Sequence, residues 1–157
     1  MRVLFVDDEP DILEGLQNVL RGRRRDWQME FALSGPAAIA ILGEQPFDVI
    51  VSDMRMPGMD GAELLQHVKQ HYPGMARIVL SGHAERAAIM RAVPVAHQFL
   101  CKPCETDALV WVVERTHSWM NRFRRILIRW EKKVENYFGL LHLVCAWITY
   151  RCSGLLG

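Results

Sequence analysis

Short apolar runs alternate with longer amphipathic segments over the first hundred residues. The runs are typical of strands and the segments between them of helices. Strands are predicted at 2–6, 27–32, 48–52, 77–81 and 97–100, and helices at 10–22, 35–44, 61–71 and 84–92. This alternation predicts an α/β domain, with a doubly wound parallel sheet covered by helices on both faces.

Two of the predicted strands lack any polar position at their centre. Residues 49–51 read Val-Ile-Val and residues 78–80 read Ile-Val-Leu. A strand buried on both faces must be apolar throughout, so these two are expected in the middle of the sheet. The five strands are assigned the flavodoxin-like order 2-1-3-4-5, in which the first and third strands flank the ligand-binding crevice.

The charge distribution divides the chain. The formal net charge is +1, but residues 1–118 carry 12 Lys and Arg against 16 Asp and Glu, whereas residues 119–157 carry 7 against 2. An acidic body favours a metal or phosphate site rather than a nucleic-acid-binding core. We therefore predict a domain at 1–117, followed at 118–157 by a basic amphipathic helical extension and an apolar tail.

The C-terminal segment has its own pattern. Residues 105–138 contain neither Gly nor Pro, and apolar positions recur there about every 3.5 residues. We hypothesise one continuous helix that pairs with a second chain in a homodimer. A hairpin that folds back near Gly139, or a linker helix to an output domain, is the alternative. Residues 138–150 are too short to span a bilayer, which takes about 20 apolar residues. A position on a membrane surface is a less favoured alternative to the hairpin or the dimer.

The first residues bear on localisation. The apolar run at 3–6 is too short for a secretory signal, and we therefore predict a cytoplasmic protein. The four cysteines are then expected to stay reduced.

Polar side chains collect at the carboxyl ends of the predicted strands, where open parallel sheets bind ligands. They are Asp7, Asp8, Asp53, Ser81 and Lys102. Three crowded carboxylates repel one another unless a cation joins them, and hard oxygen ligands suit Mg²⁺. We expect Asp8 and Asp53 to bind the ion directly and Asp7 partly through water. The backbone carbonyl of Arg55 is expected to supply a further oxygen.

These residue types suit phosphoryl transfer. Asp53 is the candidate nucleophile, which would form an aspartyl phosphate. The transfer requires neutralisation of the equatorial oxygens, and Lys102 together with the metal would provide it. Ser81 is expected to donate a hydrogen bond to a phosphoryl oxygen, although a local turn or cap hydrogen bond is the simpler role for a serine at this position.

Four motifs resemble the receiver domains of two-component response regulators. They are residues 6–10 (Val-Asp-Asp-Glu-Pro), 52–61, 80–82 and 99–103 (Phe-Leu-Cys-Lys-Pro). The resemblance covers about residues 1–117. It implies magnesium-dependent transfer to Asp53 from a histidine kinase, a phosphotransfer protein or a small phosphodonor, and a cis peptide bond before Pro103.

The resemblance also implies a signalling output. Phe99 matches an aromatic switch residue, expected in the core, that turns inward as Ser81 moves toward the phosphate. Arg55 and His83 match two variable positions that tune dephosphorylation. The changed surface would lie around the fourth helix (84–92), the fifth strand (97–100) and the fifth helix, which follows from residue 105, and it would bind a downstream protein or domain. Residues 96–104 are similar to receivers ahead of HDOD or HD-GYP output domains.

Several alternatives remain. Aspartyl-phosphate phosphatases also use carboxylates, magnesium and a lysine, but Arg55 stands where their acid/base aspartate would lie. The Cys101-Lys102-Pro103-Cys104 segment has redox spacing, although phosphate chemistry already accounts for its Lys and Pro. The remaining histidines are interpreted as surface or boundary residues without ligand spacing: His67, His71, His97, His117 and His142.

Overall fold

A computed structural model describes residues 1–82 and 90–130, with side chains to residue 124. Its centre is a parallel five-stranded sheet in the order β2-β1-β3-β4-β5. The strands are β1 (Arg2–Val6), β2 (Gln28–Ala32), β3 (Val49–Asp53), β4 (Ala76–Gly82) and β5 (Gln98–Lys102). The predicted fold class and strand order are confirmed.

Besides the helical residues 90–92, the described part of the chain has four helices that connect or follow the strands: α1 (Pro10–Val19), α2 (Gly35–Glu44), α3 (Gly61–His71) and α4 (Thr106–Trp130). Local chemistry fixes where they begin. Pro10 occupies the first turn of α1, where its missing N–H has no helical acceptor. The Ser34 side chain accepts from the amide of Ala37 at the start of α2. Asp60 and Glu63 form a capping box on α3.

Some predicted boundaries differ from the structure. The first helix ends at Val19 instead of residue 22, and a 3₁₀ turn follows at Arg21–Arg23. The backbone of the C-cap residue Leu20 is no longer helical, and its side chain is fully buried. The helix therefore ends where Leu20 packs into the core. Of the predicted helix 84–92, only residues 90–92 lie within the described residues, and they are helical.

The chain divides into two compact units, 1–120 and 121–157. The part of the predicted 105–138 helix beyond Trp130 lies outside the described residues, as does the apolar tail. The predicted boundary at 117 and the dimer hypothesis remain predictions.

The core of the first unit lies on both faces of the sheet. Leu4 and Ile50 belong to the cluster that includes Leu64 and Leu65 of α3. Their strand neighbours belong to the opposite cluster, with Leu109 and other residues of α4, because alternate side chains of a strand point to opposite faces. All five residues of β3 are buried, which confirms its central position.

Candidate functional site

Lys102 joins two buried carboxylates at the carboxyl edge of the sheet. Its Nζ atom donates to Oδ2 of Asp7 at 2.7 Å and also to Oδ1 of Asp53. Asp7 follows β1, Asp53 ends β3 and Lys102 ends β5. The two carboxylates are only 2% and 7% exposed. The strand order therefore brings together three groups that are far apart in the sequence.

Backbone amides hold the other oxygen of each carboxylate. The amide of Glu9 donates to Oδ1 of Asp7 at 3.0 Å, and the amide of Arg55 donates to Oδ2 of Asp53 at 2.6 Å. Each carboxylate thus has one oxygen on a backbone N–H and one on the Lys102 ammonium. These contacts fix the orientation of both side chains before any ligand binds.

The electrostatics of the site favour positive charge. Burial raises the pKa of the Asp53 carboxyl, and the Asp7 charge adds to this effect, while Lys102 and the Arg55 amide act against it. Burial tends to lower the pKa of Lys102, but the two carboxylates outweigh it and the pKa lies above its ordinary value. The lysine therefore remains an ammonium at neutral pH. A divalent cation would relieve the remaining unfavourable charge of Asp53.

The loop after Asp53 is built around a close backbone approach. The amide of Met54 donates to the carbonyl of Leu80 on β4, and the amide of Gly61 donates to the carbonyl of Met54. A Cβ atom at residue 61 would overlap the carbonyl oxygen of Asp53 and lie 3.1 Å from the Cα of Met54. Gly61 therefore permits α3 to start directly against the strand that carries Asp53.

Ser81 and Asp8 also lie at this edge. Ser81 follows Leu80, the register partner of Asp53 in β4, and it is 1% exposed. Its hydroxyl donates to the carbonyl of Gly82 at 3.2 Å, which is the local hydrogen bond considered above as its simpler role. Asp8 follows Asp7 and is partly exposed.

Phe99 differs from the expectation that it is a core residue. Its side chain is 36% exposed on β5. The physical reason is that β5 forms the edge of the sheet, so that two of its five residues are only partly buried and three are exposed. Its role as a switch stays a prediction.

The remaining predicted positions are placed as follows. The Lys102–Pro103 peptide bond is cis, as the resemblance implies. Cys101 and Cys104 are free thiols. Burial raises the pKa of the Cys104 thiol, which is the opposite of what a reactive redox cysteine needs. His83 lies outside the described residues.

The donor set suits a hard cation. Asp7 and Asp53 already share one positively charged partner, and carboxylate oxygens are ligands that magnesium prefers. Among the described side chains, which are those of residues 1–82 and 90–124, no three or more of Asp, Glu, His or Cys are gathered as metal ligands. The structure thus assembles the Asp7–Asp53 pair, and Asp8 is not gathered with it into a three-carboxylate cluster.

Comparison with known proteins identifies the class. Residues 3–114 match the profile of the response regulator receiver domain. The chain belongs to this family, whose members are phospho-acceptor signalling domains of two-component systems. Magnesium-dependent phosphorylation is a general property of the family. Neither the profile nor the relatives support the phosphatase alternative.

Individual relatives agree with this assignment. The hydrogenase transcriptional regulatory protein HoxA of Cupriavidus necator is 35% identical over 115 residues, or 72% of this chain and 23% of that protein. The DNA-binding transcriptional regulator NtrC of Salmonella typhimurium is 35% identical over 117 residues, or 74% of this chain and 24% of that protein. The chain therefore spans about a quarter of the length of these curated relatives.

A solved structure shows the same fold. The response regulator receiver domain protein from Clostridium thermocellum superposes with a TM-score of 0.69 and 28% sequence identity, covering 80% of this chain and 98% of that one. In the part of this chain that the structure describes, no helix has the length and apolar character needed to cross a membrane.

The sequence analysis named Asp7, Asp53 and Lys102, which the structure brings into contact, but it missed other contacts around them. The amides of Glu9 and Arg55 as carboxylate donors were not predicted, because backbone donors leave no residue-type signal. The role of Gly61 was detectable in principle, since a glycine at a helix start often marks a close backbone approach.

Proposed function

We propose that Asp53 accepts a phosphoryl group from a histidine kinase or a phosphotransfer protein. The observation that carries this proposal is the shared contact of two buried carboxylates, Asp7 and Asp53, with the Lys102 ammonium. A carboxylate oxygen of Asp53 forms a bond to phosphorus while the bond between phosphorus and the donor's nitrogen breaks. Small phosphodonors such as acetyl phosphate would serve in place of the protein donor.

Magnesium would be held by Asp7, Asp8, Asp53 and the backbone carbonyl of Arg55. When bound, the ion neutralises charge on the transferred phosphoryl oxygens. The buried Asp7–Asp53 pair supports this assignment, because two carboxylates that share one ammonium are poor acceptors of an incoming anion unless more positive charge is supplied. The partial exposure of Asp8 leaves its side chain accessible to a hydrated ion.

Lys102 links the chemistry to the sheet edge. Its ammonium would exchange the Asp53 contact for a phosphoryl oxygen after transfer. Lys102 ends β5, and it pairs in register with Gly82, the residue after Ser81. A change at Lys102 or Ser81 would therefore alter β5 and the exposed Phe99, which lies three residues before the lysine.

The output is a changed protein-interaction surface for a downstream protein or domain, with the chain catalysing only its own phosphorylation and dephosphorylation. HoxA and NtrC are transcriptional regulators by name, but this chain matches about a quarter of each of them. DNA binding is therefore not proposed for residues 1–117, whose acidic balance disfavours it.

The proposal is tested by incubating the chain with acetyl phosphate, with and without Mg²⁺, and measuring intact mass. We expect phosphorylation of the parent chain only when magnesium is present. Asp53→Asn should abolish it. Asp26→Asn is the matched control, because Asp26 is an exposed aspartate outside the site, and it should be modified like the parent. Undiminished phosphorylation of Asp53→Asn would refute the assignment.

A further inference from the structure

Two histidines on α3 form a pair that the proposed function does not use. His67 and His71 are four residues apart within the helix Gly61–His71. Residues at this interval are neighbours on one helix face. Their rings stack, with centroids 4.1 Å apart and an interplanar angle of 24°. The sequence analysis interpreted these histidines as surface or boundary residues without ligand spacing, but two side chains four residues apart on a helix can share one metal ion.

One ring is oriented by the backbone. The Nδ1 atom of His71 lies 2.9 Å from the carbonyl oxygen of His67. A carbonyl can only accept, so Nδ1 must carry the hydrogen, and the lone pair of His71 is then on Nε2. Histidines that bind metals commonly donate their other ring N–H to a backbone carbonyl in this way, which fixes the tautomer and the ring orientation.

The second ring is accessible to an ion. His67 is partly exposed, and among the described residues its ring has no hydrogen-bond partner. Its ring nitrogens can therefore bind an ion without giving up an existing hydrogen bond.

The surroundings give an ion access to the pair. A groove of about 390 Å³ lies beside His67 and is also lined by Glu63, Gln66 and Arg91. His71 is exposed. A hydrated cation can therefore reach both rings without any rearrangement of the core. The Glu63 carboxylate accepts from the amide of Asp60 as part of the helix cap, so it is not assigned as a third ligand.

We propose that His67 and His71 chelate a divalent transition-metal ion, with water completing the coordination shell. Imidazole pairs suit Zn²⁺, Ni²⁺ and Cu²⁺, whereas Mg²⁺ prefers oxygen ligands. This site would thus be chemically distinct from the carboxylate site around Asp53. Two histidines at this interval on one helix face also hold zinc in helical metalloprotease motifs.

The test is calorimetric titration of the full-length chain with Zn²⁺. The other candidate zinc ligands, the cysteines and the carboxylates around Asp53, are first removed or occupied. The four cysteines are changed to serine, and Mg²⁺ is kept in excess so that the carboxylates around Asp53 are occupied. One equivalent of zinc should bind. His67→Gln and His71→Gln should each weaken binding at least tenfold, and the double variant should abolish it.

His117→Gln is the matched control, because His117 lies on α4 without a second described histidine at helical spacing, and it should bind zinc like the parent. Magnesium-dependent phosphorylation by acetyl phosphate should be unchanged in the double variant, which would show that it is folded. Zinc binding of parent strength in the double variant, or no binding by the parent, would overturn the proposal.

Discussion

The contact between His97 and Arg77 predicts that acidification destabilises the fold through a single histidine. Arg77 is 6% exposed on β4, and its guanidinium donates to the carbonyls of Val95 at 2.6 Å and Met75 at 3.0 Å. Both ring nitrogens of His97 face Arg77: Nδ1 accepts from its amide at 3.0 Å, and Nε2 lies 2.9 Å from the guanidinium. A protonated imidazole carries hydrogen on both ring nitrogens, so it could accept from neither the amide nor the guanidinium of Arg77. Its charge would also repel the buried guanidinium.

The sign and size of the effect follow from the pKa. Burial, followed by the charges of Arg77 and Lys69, lowers the pKa of His97 from 6.5 to about 4. Between these values the unfolded chain binds more protons than the folded chain, so acid favours unfolding. The stability that neutral His97 gives the folded chain is fully present above pH 6.5 and is lost as the pH falls to about 4. After allowance for the partial exposure of the ring, we expect a loss of about 1 to 3 kcal/mol.

Urea unfolding followed by far-UV circular dichroism between pH 7.5 and 4.5 measures this loss. His97→Gln keeps a hydrogen-bonding side chain but does not titrate, so its free energy of unfolding should fall less steeply with acid than that of the parent. His117→Gln, the control, should retain the parent's steep dependence. Parallel curves for the parent and His97→Gln would refute the reasoning, because the acid sensitivity would then arise elsewhere.

Three further predictions concern the loop, the lysine and the C-terminal helix. Gly61→Ala should destabilise the fold by about 1 to 3 kcal/mol in urea unfolding and slow phosphorylation followed by intact mass, because the new methyl group overlaps the Asp53 carbonyl. The control Gly43→Ala on α2 should not destabilise the fold, because no atom outside its own helix backbone lies within 4 Å of the added methyl group. Lys102→Ala should still bind Mg²⁺ but show no beryllofluoride-induced change in tryptophan fluorescence, and a normal change would contradict the proposed linkage. Light scattering should find a dimer for the full chain and a monomer for a chain ending at Met120, and a monomeric full chain would refute the dimer hypothesis.

Local patterns predicted the elements well because their signals are short-range. The bounds of α2 and α3 agree with the predicted 35–44 and 61–71, where Ser34 and Asp60 cap the first turns. The central position of β3 followed from its uninterrupted apolar run. These features depend on neighbouring residues alone, so one sequence is enough to find them.

Features that depend on long-range packing were harder to predict. Phe99 was expected in the core, but the edge position of β5 leaves it partly exposed. The 3₁₀ turn after α1 was not predicted, because no Pro or strong stop signal precedes Gly22. The hydrogen bond from Lys102 to Asp7 joins residues 95 positions apart, and only the strand order brings them together.

The most direct test of the central claim is to locate the phosphoryl group within the chain. Treating the phosphorylated chain with borohydride reduces an aspartyl phosphate to homoserine, which peptide mass spectrometry then assigns to a residue. The proposed chemistry predicts homoserine at position 53 alone, and only after incubation with both acetyl phosphate and Mg²⁺. Conversion at Asp7 or Asp8 with residue 53 left as aspartate would contradict the assignment of Asp53 as the phosphoryl acceptor.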